Sequence, residues 1–408
     1  MADPVLILGG AQSDFSRSLV KDGRDLADLT RDVVRAALAD AGLEPADIAA
    51  IHVGNAFGEL FTGQAQLGAM PATAIPELWG APASRHEGAC ASGGLAILAA
   101  MADVEAGRYD CVLVLGLEQE RNVPGEQAAR YMGSAAHVGR EGHGDRFLWP
   151  AMFARIADAY AERWGLRREH LAAIAEKNFC NARRNPLAQT RGWTLTAANF
   201  SDSDEHNPLV AGRLRRHDCS QVTDGAAAVL LASPAFAARL GRRHARIAGW
   251  GHRTVGLGLA DKLARAEASA HLFPHVRQAA LDAYRRAGIA GPAALSGVEV
   301  HDCFTISEYM AIDHLGLAAP GEAWRVIEDG TTTLAGRLPI NATGGLIGGG
   351  HPVGATGVRM LLDAARQVTD RAGECQIAGA DRMLTFNLGG STTTSVCFVV
   401  ERTTDTAA

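Results

Sequence analysis

Several signatures are missing from this sequence, and each absence removes a class of function. No apolar stretch reaches membrane-spanning length without a charge or a glycine inside it, so no membrane span is expected. There is no stripe of Lys and Arg and no basic run interleaved with aromatics. With a net charge of −6, nucleic acid is not an expected partner. The short clusters Arg183-Arg184 and Arg213 to Arg216 read as solvated surface, or alternatively as neighbours of an anionic nucleotide-bearing substrate. The seven cysteines (90, 111, 180, 219, 303, 375 and 397) include no CxxC pair, and no His/Cys group has metal-type spacing. Free thiols in a reducing compartment and no bound metal are the expectation. The glycine-rich run from Gly344 to Gly350 is not followed by Lys-Ser/Thr, which excludes a P-loop nucleotide hydrolase. No positive flank precedes Val5, and Thr403 to Ala408 ends without Ser-Lys-Leu, so a cytoplasmic location is expected. Low-complexity segments and long linkers are also missing.

What is present is an ordinary globular composition: 408 residues, 47% hydrophobic and 21% charged, enough for two or three domains. The chain repeats itself once at long range. Arg31 to Phe57 reads as a helix, Gly42, a loop and the strand Ile51 to Phe57. Gln278 to Phe304 reads as a helix, Gly288, a loop and the strand Val298 to Phe304. Leu26, Leu29, Val33, Ala37 and Ala41 recur at helical spacing, as do Leu272, Val276, Ala279, Ala283 and Ala287. Both glycines suit helix C-caps. One residue of slippage aligns Ala56 with Cys303. Each copy continues through a glycine-rich approach to a helix, Gly88 to Val104 and Gly348 to Val368, and then to an apolar strand. Alternating strands and helices predict a parallel or mixed sheet covered by helices. Between the copies, Glu120 to Asp218 is rich in Arg, His, Asn and Gly, with helices expected at Ala151 to Trp164 and His170 to Asn181. It reads as an insertion.

Four constellations can carry chemistry. In Glu87 to Gly94, Cys90 falls at the start of the apolar helix Leu95 to Val104, where free N–H groups and the helix dipole favour a thiolate. In Gly350-His351-Pro352, one histidine stands on a stiff loop between glycines and a proline. His301-Asp302-Cys303-Phe304 ends a short buried strand. Asn387-Leu388-Gly389-Gly390-Ser391 is a glycine turn between apolar segments. Taken singly, each residue has a plainer reading. A cysteine in an Ala/Gly-rich helix start is ordinarily a small buried apolar group. On that reading His301 caps backbone groups, Asp302 bonds nearby N–H groups, and Asp224 forms a turn or the edge of the core. Cys111, Cys180, Cys219, Cys375 and Cys397 read as fillers. His137 and His252 are candidates for pocket lining without motif support.

In this order, Cys90-Ala91-Ser92, His301-Asp302-Cys303-Phe304, Gly350-His351-Pro352 and the late glycine turn resemble the thiolase superfamily, as does Cys219 to Ala228. The His-Asp-Cys-Phe form is similar to the sterol-carrier-protein-2 type. Many thiolases have Asn-Glu-Ala-Phe there and Cys-x-Gly near the C-terminus; this chain has Asn387 in place of that late cysteine. The resemblance implies an α/β thiolase-like fold: duplicated βαβαβαββ halves in five layers, α-β-α-β-α, with an inserted loop domain. Residues 1–119, completed by about 219–268, would form the first half, 120–218 the insertion and 269–408 the second half.

The resemblance also implies a reaction, either thiolysis of 3-ketoacyl-CoA or condensation of acetyl-CoA, within lipid and fatty acid metabolism. Cys90 would be the nucleophile, His351 its proton acceptor and Cys303 the acid–base group. His301 and His351, with a held water, would donate to an enolate oxygen, and the N–H groups of Cys90 and Gly389 would hold an oxyanion. Gly350, Ser92 and Phe304 would contact substrate. Coenzyme A thioesters are then substrates, no cofactor or metal is implied, and a homodimer is expected, with a tetramer open. Three alternatives stand beside this reading. One is a retro-aldolase or acyltransferase subunit dependent on an OB-fold partner, although aldolase-like relatives tend to lose the residues kept here. The others are a non-catalytic acyl-CoA-binding protein and a ketoacyl synthase, whose pattern lacks a second acid–base cysteine.

Overall fold

Along the buried strands, alternate side chains enter different hydrophobic cores, and this alternation sets the layering. On the strand Cys111–Glu118, Leu113, Leu115 and Leu117 join one core, while Val112 and Val114 join another. On Gly225–Ala232, Ala226, Ala228 and Leu230 face the first core, and Ala227, Val229 and Leu231 the second. On Thr394–Arg402, Val396, Phe398 and Val400 share that second core, while Cys397 and Val399 face a third. A strand buried on both faces needs a helix layer on each side.

The computed structural model describes residues 4–241 and 243–403; the end segments read above for targeting signals fall partly outside it, at residues 1–3 and 404–408. Nine strands form one mixed sheet: β1 (Val5–Gln12), β2 (Ala50–Gly54), β3 (Ala83–His86), β4 (Cys111–Glu118), β5 (Gly225–Ala232), β6 (Ala245–Thr254), β7 (Gly297–Val300), β8 (Arg382–Gly389) and β9 (Thr394–Arg402). Their order is β3-β2-β4-β5-β1-β6-β9-β8-β7. β2 runs parallel to β3 and β4, and β7 parallel to β8; the other neighbours are antiparallel. The sheet bends around two central helices, α2 (Ser92–Glu105) and α7 (Thr356–Val368), whose residues fill the middle core with those of both sheet halves. α1 (Leu26–Ala41) covers one outer face. α5 (Pro274–Arg286) and α6 (Thr305–His314) cover the other. The five layers follow.

The repeat is visible in detail. α1 and α5 are each followed by a left-handed glycine, Gly42 (φ 67°) and Gly288 (φ 68°), then a single 3₁₀ turn, then β2 or β7. Leu272, expected within the second helix, precedes it, because Pro274 supplies the first turn. One boundary differs. β6, assigned from sequence to the first half, pairs with β9 along Thr254 to Ala245 but with β1 over only three residues, so it belongs with the second half. No motif marks this switch; only the pairing does. The insertion begins after Glu118 and ends at Gly225, with helices α3 (Leu148–Trp164) and α4 (Arg168–Ala182). Ser220 N–H donates to the Cys303 carbonyl (2.9 Å), tying the insertion to the second half. No helix among the described residues is long and apolar enough to cross a membrane.

Candidate active site

The N-termini of α2 and α7 meet at the centre of the molecule, and glycine allows it. A Cβ on Gly93 would lie 2.8 Å from the Gly354 carbonyl oxygen, and one on Gly357 would lie 2.4 Å from Gly94 N. That approach brings the loop before α2, carrying Cys90, against the loop before α7, carrying His351. Ala89 has φ 52°, a left-handed conformation unfavourable for alanine by about 1–3 kcal/mol. Two bonds hold it there: Ala89 N–H donates to Glu87 Oε1 (2.6 Å), and Ser92 Oγ donates to the Ala89 carbonyl (2.6 Å). Cys90 follows on the strained turn, partly exposed to a deep cavity.

The cavity holds about 330 Å³. Phe57, Met132, Leu148, Trp149, Phe153 and Phe304 make it predominantly apolar, and Phe153 stacks on Phe304 with centroids 4.5 Å apart. Cys90, Cys303, His351, Glu120 and Gly390 also line it. The Cys90 sulfur and one nitrogen each of His301 and His351 lie within 4.8 Å of one another, a spacing that a thiophilic metal ion could also exploit. Cys303 Sγ is 3.7 Å from Ser307 Oγ.

The hydrogen bonds assign the tautomers. Thr356 Oγ1 donates to the Pro352 carbonyl (3.0 Å), so it accepts from His351 Nδ1–H (2.7 Å), leaving His351 Nε2 with a free lone pair. Asn387 Nδ2 donates both to the Cys90 carbonyl (3.0 Å) and to His301 Nδ1 (3.0 Å), leaving the His301 proton on Nε2. One ring is a base and the other a donor. Neither is protonated at neutral pH: burial, then the Arg359 guanidinium, takes His351 down to about 3. Burial, then His351 and Arg359, takes His301 well below the usual imidazole range.

The expected thiolate at Cys90 needs correction. Burial and the neighbouring Glu120 carboxyl push the thiol up to about 12, against the opposing pull of the Gly390 N–H. The turn before α2 supplies a donor, but burial, with Glu120 second to it, outweighs that donor. Cys303 is raised too, by burial and then by Cys90. The resting site therefore holds two neutral thiols and two neutral imidazoles.

Several other expectations shift. Ser92 is fully buried and bonded within the Cys90 turn, so it shapes the turn and does not reach the cavity. Gly350 (φ 110°) sits behind His351 against Phe15 and Gln189, away from the cavity wall. Gly389 backs onto the Cys90 turn, where a Cβ would lie 2.1 Å from the Gly88 oxygen; the amide facing Cys90 is that of Gly390, one residue on. Cys219, read as a filler, lines the cavity, and so does Arg216, read first as solvated surface. His137 and His252 are not among the lining residues. Asp302 accepts from Leu346 N–H (2.6 Å), and Asp224 accepts from Leu19, Glu120 and Arg121 N–H, both structural as expected.

Sequence reasoning passed over Glu118 and Glu120, which together hold the His351 loop. Glu118 accepts from Gly354 N–H (3.0 Å) and Glu120 from Val353 N–H (3.1 Å). Two carboxylates ending an apolar strand were the available signal. Thr356 and Asn387 as histidine orienters left no signal, since their partners are fixed only by folding.

Comparison with known proteins agrees with this geometry. Residues 5–235 match the family "Thiolase, N-terminal domain", and residues 260–402 match "Thiolase C-terminal domain-like". The chain is 32% identical over 400 residues to the acetyl-CoA acetyltransferase of Methanothermobacter thermautotrophicus, covering 98% of this chain and 99% of that one. It is 27% identical to human sterol carrier protein 2 over 94% of this chain and 70% of that protein. Among solved structures, the "Ltp2-ChsH2(DUF35) aldolase" superposes with a TM-score of 0.77 at 23% identity, covering 98% of this chain and 97% of that one. The acetyl-CoA acetyltransferase of Syntrophomonas wolfei gives 0.70 at 19%, covering 98% and 99%. At these identities the structural matches speak for the fold.

Proposed function

Because the chain belongs to the thiolase family, we propose that it transfers acyl groups between coenzyme A thioesters through an acyl-enzyme on Cys90. The supporting observation is the convergence of the Cys90 sulfur with His301 and His351 beside an apolar cavity whose wall includes Cys90, Cys303 and His351, with His301 buried behind it.

In cleavage, the Cys90 sulfur attacks the 3-keto carbon of a 3-ketoacyl-CoA while His351 Nε2 takes the thiol proton. The oxyanion is met by the N–H groups of Cys90 and Gly390; one such donor is worth about 3–4 kcal/mol of barrier. The C2–C3 bond breaks, and its electron pair passes to the acetyl-CoA enolate, whose oxygen accepts from His301 Nε2–H. Cys303, held as a neutral thiol by burial, gives its proton to the enolate carbon. Coenzyme A then takes the acyl group from Cys90: its thiol proton passes to the Cys303 sulfur, and His351 returns its proton to the departing Cys90 sulfur. Condensation is the reverse, with Cys303 removing the proton. The cavity is larger than an acetyl group needs, which supports acyl chains beyond acetyl. Arg216 at its wall suits an anionic substrate. A homodimer in the cytoplasm, with no metal and no further cofactor, completes the reading.

The test is incubation of the pure protein with coenzyme A and 3-ketoacyl-CoA substrates of increasing length. Absence of any cleavage would count against it. A second reading, dependence on an OB-fold subunit, is prompted by the fold match to the "Ltp2-ChsH2(DUF35) aldolase". It predicts activity only after such a subunit is added.

A further inference from the structure

The turn that carries Gly390 is fastened from outside by one buried cation. Lys262, on the short helix Leu259–Arg265, donates to the Ser391 carbonyl (2.6 Å), Ser391 Oγ (2.7 Å) and Thr393 Oγ1 (2.8 Å). All three of its donors go to that turn. The side chain is 6% exposed, and among the described residues no carboxylate pairs with it. A buried ammonium without a contacting carboxylate is unfavourable, and its hydrogen bonds satisfy its protons without neutralising it. The turn itself is strained. Gly390 has φ 62° and Thr392 φ 65°, the latter a genuine outlier for a β-branched residue. His275 Nε2 binds the Thr392 carbonyl (2.9 Å) from the other side. Such an arrangement stabilises one shape of the turn, the shape in which the Gly390 N–H faces the Cys90 sulfur.

We propose that Lys262 is a positioning residue for acyl transfer: it locks the Ser391–Thr393 turn so that Gly390 presents its N–H to the oxyanion, and its charge supports that donor. The proposal rests on the acyl-enzyme reading of Cys90. The charged and titratable groups facing Lys262 are Glu141, whose carboxylate favours the ammonium, and His275 on α5, kept neutral by burial at about 4. Burial lowers Lys262 to about 8, so the charge is lost as pH rises through that value.

Full-length Lys262→Met, Lys262→Gln and Lys262→Arg are compared with the wild type in kcat, KM, melting temperature and the rate of Cys90 alkylation by iodoacetamide. The expected result for Lys262→Met is a fall in kcat of about 10–100-fold with KM within about twofold, the size of one weakened oxyanion donor. Alkylation at fixed pH slows by about tenfold, because the thiolate has lost its support. In Lys262→Arg, which stays charged, the wild-type alkaline limb of kcat near pH 8 disappears. If Lys262→Met will not fold, Lys262→Gln gives the same comparison. Wild-type kcat and alkylation in the neutral variants, or an unchanged alkaline limb in Lys262→Arg, would overturn the proposal. A wild type without acyl transfer defeats the acyl-enzyme reading instead; the alkylation rates still decide whether Lys262 supports the Cys90 thiolate.

Discussion

The imidazoles of His301 and His351 stand perpendicular, with centroids 5.0 Å apart, and carry their protons on opposite nitrogens. Neither ring chooses its tautomer alone. A hydroxyl already committed to a carbonyl fixes one, and an amide that can only donate from its nitrogen fixes the other. A base for the sulfur and a donor beside it are thereby supplied by two uncharged rings.

Asn387 is the first place to break this division. Asn387→Asp offers an acceptor to His301 Nδ1, draws the ring proton to that side and leaves Nε2 without one. The enolate oxygen then loses its donor. Turnover should fall by about 10²–10³-fold, the size of a lost oxyanion donor, while Cys90 still accepts an acyl group from acyl-CoA. Mass spectrometry of the acyl-enzyme beside steady-state cleavage measures both. Wild-type turnover in Asn387→Asp would remove His301 from the mechanism.

Thr356→Val acts on the other ring. It strands the buried His351 Nδ1–H and frees the proton to move to Nε2, the nitrogen that must accept from Cys90. Here acylation itself slows, by about 10–100-fold of the 10²–10⁴ that a placed base contributes. The single-turnover rate of acyl-enzyme formation checks it, and Thr356→Ser should restore most of the loss.

How much of this was legible in the sequence depends on the distance over which each feature is decided. The duplication was readable because Gly42 and Gly288 end equivalent helices by local backbone chemistry, and the helix periods before them are local too. Cys90, His351 and Cys303 were readable as candidates because their loops are built from unusual residues. The charge state of Cys90 was not. The local rule, a helix N-terminus favouring the thiolate, is opposed by burial and by Glu120, thirty positions on and brought alongside by β4. Asn387 meets Cys90 and His301 across 297 and 86 residues, and nothing near Asn387 announces either contact. Ser92 could not be told from a substrate ligand until its hydroxyl was seen to be spent on Ala89. The place of β6 in the sheet was hidden for the same reason, since strand pairing is a long-range choice.

The neutral resting pair has a direct pH signature. With the Cys90 thiol raised to about 12 and His351 lowered to about 3, no thiolate–imidazolium plateau exists between them. The thiolate fraction, and with it the rate of iodoacetamide alkylation at Cys90, should rise about tenfold per pH unit from pH 6 to about 7, below the loss of the Lys262 charge. A rate that levels off below about pH 7 would mean the sulfur is already ionised by the imidazole.

Gly389 probes the packing beneath the nucleophile. An alanine Cβ there would lie 2.1 Å from the Gly88 oxygen, and the obstacle is backbone, so the Cys90 turn must move. Gly389→Ala should destabilise the fold by about 1–3 kcal/mol, the usual cost of overpacking, and lower kcat/KM beyond what its melting temperature explains. Equal kcat/KM at a reduced melting temperature would show that the turn can shift without disturbing the sulfur.

Cys303 separates the two halves of the reaction. Its sulfur is required only where a proton enters or leaves the carbon beside the thioester, not where Cys90 gains or loses its acyl group. Cys303→Ala should therefore form the acyl-enzyme at close to the wild-type rate and lose about 10²–10⁴-fold in cleavage and condensation, the contribution of a placed acid–base group. Solvent deuterium exchange into the methyl of acetyl-CoA isolates the step further. It should stop in Cys303→Ala and continue in Cys90→Ala, provided coenzyme A thioesters still bind. Continued exchange without the Cys303 sulfur would assign that proton to another group, with His351, which lines the same cavity, the first to test.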